Sequence, residues 1–137
     1  MFNKILLATD GSDHAIRATD KAIEVAKSNR NATIYIVYVV ENSKSEVLDN
    51  WNTLGAQEKR KEKIKTTEDK IKEADIDYRV EFLQGEPGPT IVKHANDNDF
   101  DLVLLGSRGL NRLQELVLGS VSHKVAKRAN CAVMIIK

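Results

Sequence analysis

Two segments of the 137-residue sequence carry residue types and spacings suited to holding an anion. The first is Ala8-Thr9-Asp10-Gly11-Ser12, a turn of small residues around one carboxylate. The second opens with Gly106-Ser107-Arg108-Gly109 and, nine residues on, resumes as Gly119-Ser120-Val121-Ser122. Glycines at 106 and 109 let the main chain approach a ligand closely. Gly119-Ser120 stands where a helix is expected to begin, and the free N–H groups and dipole of a helix start favour a phosphate. Ser120 and Ser122 add hydroxyl donors and Arg108 adds a cation. A plainer reading exists for each: turn glycines, a capping serine, a solvated loop arginine, and an Asp10 that only shapes its own turn.

Other chemistries fail on spacing. No Gly-Lys pair exists, so there is no P-loop, and the glycines after the first strand do not form G-x-G-x-x-G. A G-x-S-x-G nucleophile elbow and an H-E-x-x-H zinc motif are both missing. His14, His94 and His123 are dispersed along expected helices. Cys131 is the single cysteine, which excludes an internal disulfide and a cysteine-based zinc cluster; a small buried hydrophobe is its expected role.

The elements that must position these segments alternate in type. Apolar runs at Lys4–Thr9, Thr33–Val40, Leu102–Gly106 and Ala132–Ile136 read as strands of a parallel sheet covered on both faces. Tyr78–Leu83 alternates Arg79 and Glu81 with apolar neighbours, as an edge strand does. Between the runs lie stretches of helical period. Asp13–Asn29 carries a stripe of Ala15, Ala18, Ala22, Val25 and Ala26 behind an N-cap at Ser12 or Asp13. Gly55–Ala74 is heavily charged, with a sparse seam of Ile64, Ile71 and Ala74. Pro89–Asn98 starts with proline, and Leu116–Ala129 places Val121, Val125 and Ala129 on one face. Only the polar stretch Glu41–Leu54 breaks the rhythm. Strands alternating with helices imply right-handed parallel crossovers, hence one doubly wound α/β domain spanning 1–137. Ligands of such sheets sit beyond the carboxyl ends of the strands, where strand order reverses.

Charge sharpens the exclusions. Lys and Arg number 21 against 20 Asp and Glu, a net charge of +1 that argues against an electrostatic nucleic-acid binder. The longest apolar run, Ile34–Val40, has seven residues, far short of the ~20 of a membrane span. No signal-peptide core follows Lys4, and a cytoplasmic location is expected.

Taken together, Gly106-x2-Gly109-x9-Gly119-Ser120 resembles the ATP-binding signature of the universal stress protein family. The resemblance covers the whole chain: Lys4–Ser12 looks like that family's first strand and loop, and Ala129–Ile136 like its last strand. It implies a five-stranded parallel sheet in the order 3-2-1-4-5 with helices on both faces, adenine nucleotide alpha hydrolase-like, and a homodimer joined through the last strand, Ala132–Ile136. In the family's ATP-binding members the aspartate after the first strand meets the adenosine end, and Asp10 matches it. Ala8 and Thr9 would flank the base, with backbone around Val39 reading the adenine edge. Leu105, Gly106, Arg108 and Gly109 would line the ribose and phosphates. Gly119, Ser120, Val121 and Ser122 would grip the triphosphate, with Mg2+ or Mn2+ carried by its phosphates. Arg108 falls where the family varies.

The reading that results is an ATP-binding stress-response or regulatory protein that senses or stores nucleotide. No general base for water stands beside the cradle, so at most slow hydrolysis, or autophosphorylation on Ser120 or Ser122, is expected. The alternatives are a true ATPase or α-hydrolase using the same pocket, and a protein-interaction module whose pocket is silent. A phosphorelay receiver would need paired acids after the first strand and a lysine after the fifth, and the chain stops at Lys137.

Overall fold

The structure, a computed structural model, describes residues 2–12, 15–40, 54–107 and 119–137. Strand β1 spans Lys4–Thr9 and is followed by helix α1, Ala15–Lys27. Next come β2 (Thr33–Val40), α2 (Leu54–Glu73) and β3 (Asp77–Gln84). The chain closes with α3 (Pro87–Asp97), β4 (Leu102–Gly106), α4 (Ser120–Arg128) and β5 (Ala132–Ile136). The five strands form one all-parallel sheet ordered β3-β2-β1-β4-β5.

Side-chain alternation along the strands explains why helices cover both faces. Ile5, Leu7, Ile34, Ile36, Tyr38, Leu102 and Leu104 point to one side and are buried with Ala18, Ala22, Ile64 and Ile71 of α1 and α2. Leu6, Val37, Val103 and Leu105 point to the other and meet Ile91, Ala95 and Val125 of α3 and α4. With both faces occupied, the central strands need apolar residues at every position, which is the run pattern of a buried parallel sheet.

Helix ends follow local chemistry. The third helix starts at Pro87, two residues before the Pro89 start expected from the sequence, because both prolines fit a first turn whose N–H groups lack helical partners anyway. Gly119 is the N-cap of α4; an expected start at Leu116 lies outside the described residues. Asp75 and Asp99 close α2 and α3 in the left-handed region, at φ 58 and 53, which a short polar side chain tolerates. Of the expected seam, Ile64 and Ile71 are buried while Ala74 lies past the end of α2 and is half-buried, and Arg60 and Thr67 are buried with the isoleucines. Thr67 lies 3.2 Å from Thr19 of α1, hydroxyl to hydroxyl, so the two helices pack through a polar pair as well as through alanines. Among the described residues, no helix is long and apolar enough to cross a membrane.

Candidate functional site

Strand order reverses between β1 and β4: the chain runs outward from β1 through β2 to β3, then returns to the other side of β1. The Leu7–Leu104 pair ends the ladder between the two strands. Thr9 and Gly106 stand two residues further along each, so the loops after β1 and β4 open from the same point of the sheet edge. On the other side of β1, Thr9 pairs with Tyr38 of β2, and Val39 follows. Parallel sheets place ligands at such a switch point.

The loop after β1 is pinned from within. One carboxylate oxygen of Asp10 accepts the Ser12 amide at 2.9 Å and the Ser12 hydroxyl, and Thr9 Oγ1 accepts the Gly11 amide at 3.2 Å. Gly11 takes φ +77, a conformation open to glycine at little cost. These bonds hold Asp10 at the mouth of the switch point, half-buried.

On the β4 side, α4 begins against the strand it must serve. Ser122, 2% exposed, donates its hydroxyl to the Gly106 carbonyl at 3.0 Å, and a Cβ at Gly119 would stand 3.6 Å from the Ser107 carbonyl oxygen. The first helical bond runs from the His123 amide to the Gly119 carbonyl, so the amides of Ser120, Val121 and Ser122 have no partner within the helix. Among the described residues no side-chain cap bond closes this helix start, and the first turn carries no acidic residue. A helix start of this kind favours an anion. The Ser107 amide is tied to the Ile136 carbonyl at 2.8 Å, which fixes the end of β5 beside the same loop.

The structure thus brings together Thr9, Asp10, Gly106 and Gly119–Ser122. Ala8, Val39 and Leu105 are there as backbone only, since their side chains enter the core shared with α3 and α4. Ser122 departs from its expected role: its hydroxyl proton goes to Gly106, so a ligand would meet its amide instead. Ser120 is exposed. Arg108, Gly109 and His14 lie outside the described residues. His94 packs on Phe100 and meets Glu81 of β3 at 2.9 Å, a pairing of α3 with the edge strand, and His123 is exposed on α4. Among the described residues no three His, Cys, Asp or Glu side chains converge to hold a metal ion. Two further residues reach this edge unannounced by sequence: Lys63 of α2 donates to the Tyr38 hydroxyl at 3.1 Å beside Gly11.

A doubly wound parallel sheet with a helix start at its switch point defines an adenine nucleotide alpha hydrolase-like fold. The chain belongs to the universal stress protein family, whose sequence model matches residues 1–137. It is 35% identical to universal stress protein YxiE of Bacillus subtilis strain 168, with each chain covered completely. Among solved structures it is similar to protein MJ0577, with 27% identity, a TM-score of 0.85, and coverage of 100% of this chain and 96% of that one. A universal stress protein solved in complex with cAMP shares 26% identity at a TM-score of 0.73, covering 99% of this chain and 97% of that one. The universal stress protein from Archaeoglobus fulgidus, solved in complex with dAMP, shares 25% identity at a TM-score of 0.74, covering 99% of this chain and 98% of that one.

Proposed function

We propose that this chain binds one adenine nucleotide, ATP foremost, at the carboxyl ends of β1 and β4, and acts as a nucleotide-dependent regulatory protein of the stress response. The observation that carries the reading is the placement of the Asp10 turn and the start of α4 at the same edge of the β1–β4 pair. The two halves suit opposite ends of one ligand. Asp10 is an acceptor for ribose hydroxyls, and three outward amides are donors for phosphate oxygens. Arg108 and Gly109, between them in sequence, complete the glycine signature. Two relatives of the same fold were solved with cyclic or deoxy AMP, which supports an adenine nucleotide over another phosphate ester.

The residues present fit such a ligand without a protein-held metal. Mg2+ or Mn2+ would arrive on the phosphates and neutralise part of their charge. What the chain supplies is orientation: Asp10 fixes the sugar end, and the amides of Ser120, Val121 and Ser122 hold the other. Neither group abstracts a proton from water at the distal phosphate, so binding with at most slow turnover follows.

The two sheet edges differ in a way that supports a homodimer. The β3 edge strand carries Asp77, Arg79 and Glu81, charges that discourage edge pairing, whereas β5 offers only Ala132–Ile136. A second copy paired strand to strand about a two-fold axis would cover that apolar edge. The domain would comprise the whole chain, in the cytoplasm. Calorimetric titration of nucleotide-stripped protein with Mg-ATP, ADP, AMP and cyclic AMP tests the reading. Saturable binding near one per chain is expected; no heat with any of them leaves an interaction module with a silent pocket.

A further inference from the structure

We propose that Lys63 is a positioning residue of the nucleotide site, which makes helix α2 part of that site; the inference rests on the nucleotide-binding reading above. The site as described draws only on the ends of strands and on α4. Lys63 lies in the middle of α2, between the buried Arg60 and Ile64, and reaches the loop after β1 in two ways.

Its stem is a wall for Gly11. A Cβ placed on Gly11 would come 3.0 Å from Lys63 Cβ and 3.3 Å from Tyr38 Cε2, so the backbone beside Asp10 is packed between the lysine stem and the tyrosine ring. Glycine takes this conformation at little cost but takes others as readily, so packing on both sides selects this one. Its ammonium group satisfies Tyr38. That tyrosine is 1% exposed, pairs with Thr9 across β1 and β2, and receives Lys63 Nζ at 3.1 Å on its hydroxyl, with the ammonium 5.7 Å from the ring centroid. A phenol buried this deeply needs a partner. One side chain therefore braces both neighbours of Asp10: Gly11 directly and Thr9 through Tyr38.

The brace has a firm base. Further along α2, Thr67 meets Thr19 at 3.2 Å and Lys70 meets Asp20 at 2.9 Å, both on α1. The helix is thus anchored at one end and leans on the Asp10 turn near its middle. Any ligand that orders the turn also favours this seating of α2, and the coupling is reciprocal.

Calorimetry on three full-length variants, Lys63→Met, Tyr38→Phe and the double variant, tests the role. Methionine keeps a stem against Gly11 and removes the ammonium. Each single change is expected to weaken AMP and ATP by the same factor, about five- to tenfold, and the double by no more than either alone. A loss confined to ATP would make Lys63 a phosphate ligand and overturn the positioning role. A lowered melting temperature with unchanged nucleotide affinity would reduce it to a helix anchor and also overturn it. Amide exchange at Gly11 and Ser12 in nucleotide-free protein separates this claim from the reading beneath it. If the parent chain binds no adenine nucleotide, faster exchange in Lys63→Met upholds the brace while the ligand reading falls. Equal exchange rejects both.

Discussion

Ser122 and Gly106 are joined by a hydroxyl-to-carbonyl hydrogen bond of 3.0 Å that ties the first turn of α4 to the last residue of β4. The bond sets how the helix start faces the switch point. Replacing Ser122 by alanine leaves the half-buried Gly106 carbonyl without that donor, at a cost of about 1–2 kcal/mol. Urea unfolding should show this as a lower midpoint at unchanged slope, together with weaker nucleotide binding. A Ser122→Ala protein of parental stability would deny the bond its role.

Ser120 gives a sharper separation of stability from binding. An aspartate at this exposed first position favours the helix dipole by about 0.3–1 kcal/mol but repels a phosphate from the same amides. Ser120→Asp is therefore expected to melt slightly higher than the parent without nucleotide. It should also lose most of the stabilisation, about 2.7 kcal/mol at a hundredfold excess over Kd, that the parent gains with it. A full thermal shift in this variant would move the phosphates away from α4.

On the proposed reading Asp10 has two duties, shaping its turn and meeting the ligand, and two substitutions divide them. Asn at position 10 keeps an oxygen to accept the Ser12 amide, now 2.9 Å away, but lacks the charge. Asp10→Asn should fold as stably as the parent and bind adenosine-containing nucleotides about tenfold more weakly. Asp10→Ala should lose both stability and binding. Equal titration curves for parent and Asp10→Asn would remove the carboxylate from the ligand.

Gly11 offers a test of the loop itself. With φ +77 and a lysine Cβ only 3.0 Å from where a methyl would go, Gly11→Ala is strained and crowded at once. A loss of about 1–2 kcal/mol is expected from the backbone alone, read by thermal unfolding. A neutral Gly11→Ala would mean the turn is free to refold in another shape.

The pH dependence has a defined sign. Burial pushes the Cys131 thiol above its usual 9.0, and the charge of Asp101 acts in the same direction. On raising the pH, the unfolded chain loses this proton first while the native chain retains it. The stability this contributes is complete below 9.0 and is lost as pH climbs through the higher native value. Tyr78, raised by donating to Glu68, acts in the same sense at higher pH. Unfolding curves at about pH 8 and about pH 10 should converge more closely in Cys131→Ala than in the parent. An undiminished difference in the variant would place the alkaline loss elsewhere.

Much of this architecture was legible because buried parallel strands write themselves as unbroken Ile, Val and Leu. Lys4–Thr9, Thr33–Val40, Leu102–Gly106 and Ala132–Ile136 have the same bounds in sequence and structure. The strand order came from the glycine signature and its resemblance, since local pattern is silent on which strands are neighbours. Helix α2 shows where periodicity fails. Half of its inward seam is Arg60 and Thr67, polar types that a search for apolar stripes passes over. The site divided likewise. Asp10, Gly106 and Gly119 could be placed by spacing, whereas Lys63 is one of several lysines on a charged helix. Nothing local marks it as the one that meets Tyr38, 25 residues away in the chain. Ser122 was recognised as a serine at a helix start, but which oxygen it serves depends on how close β4 passes.

The central place of β1 has a consequence for how the protein comes into being. Asp10 is synthesised well before its neighbours across the β1–β4 pair, Gly106 and the start of α4. A nascent chain that has made β1, β2 and β3 holds one wall of the site with nothing opposite it. Only when β4 slides in beside β1 does the second wall arrive. A nucleotide seated there would clasp an early-made wall to a late-made one, serving as a seal on the assembled sheet.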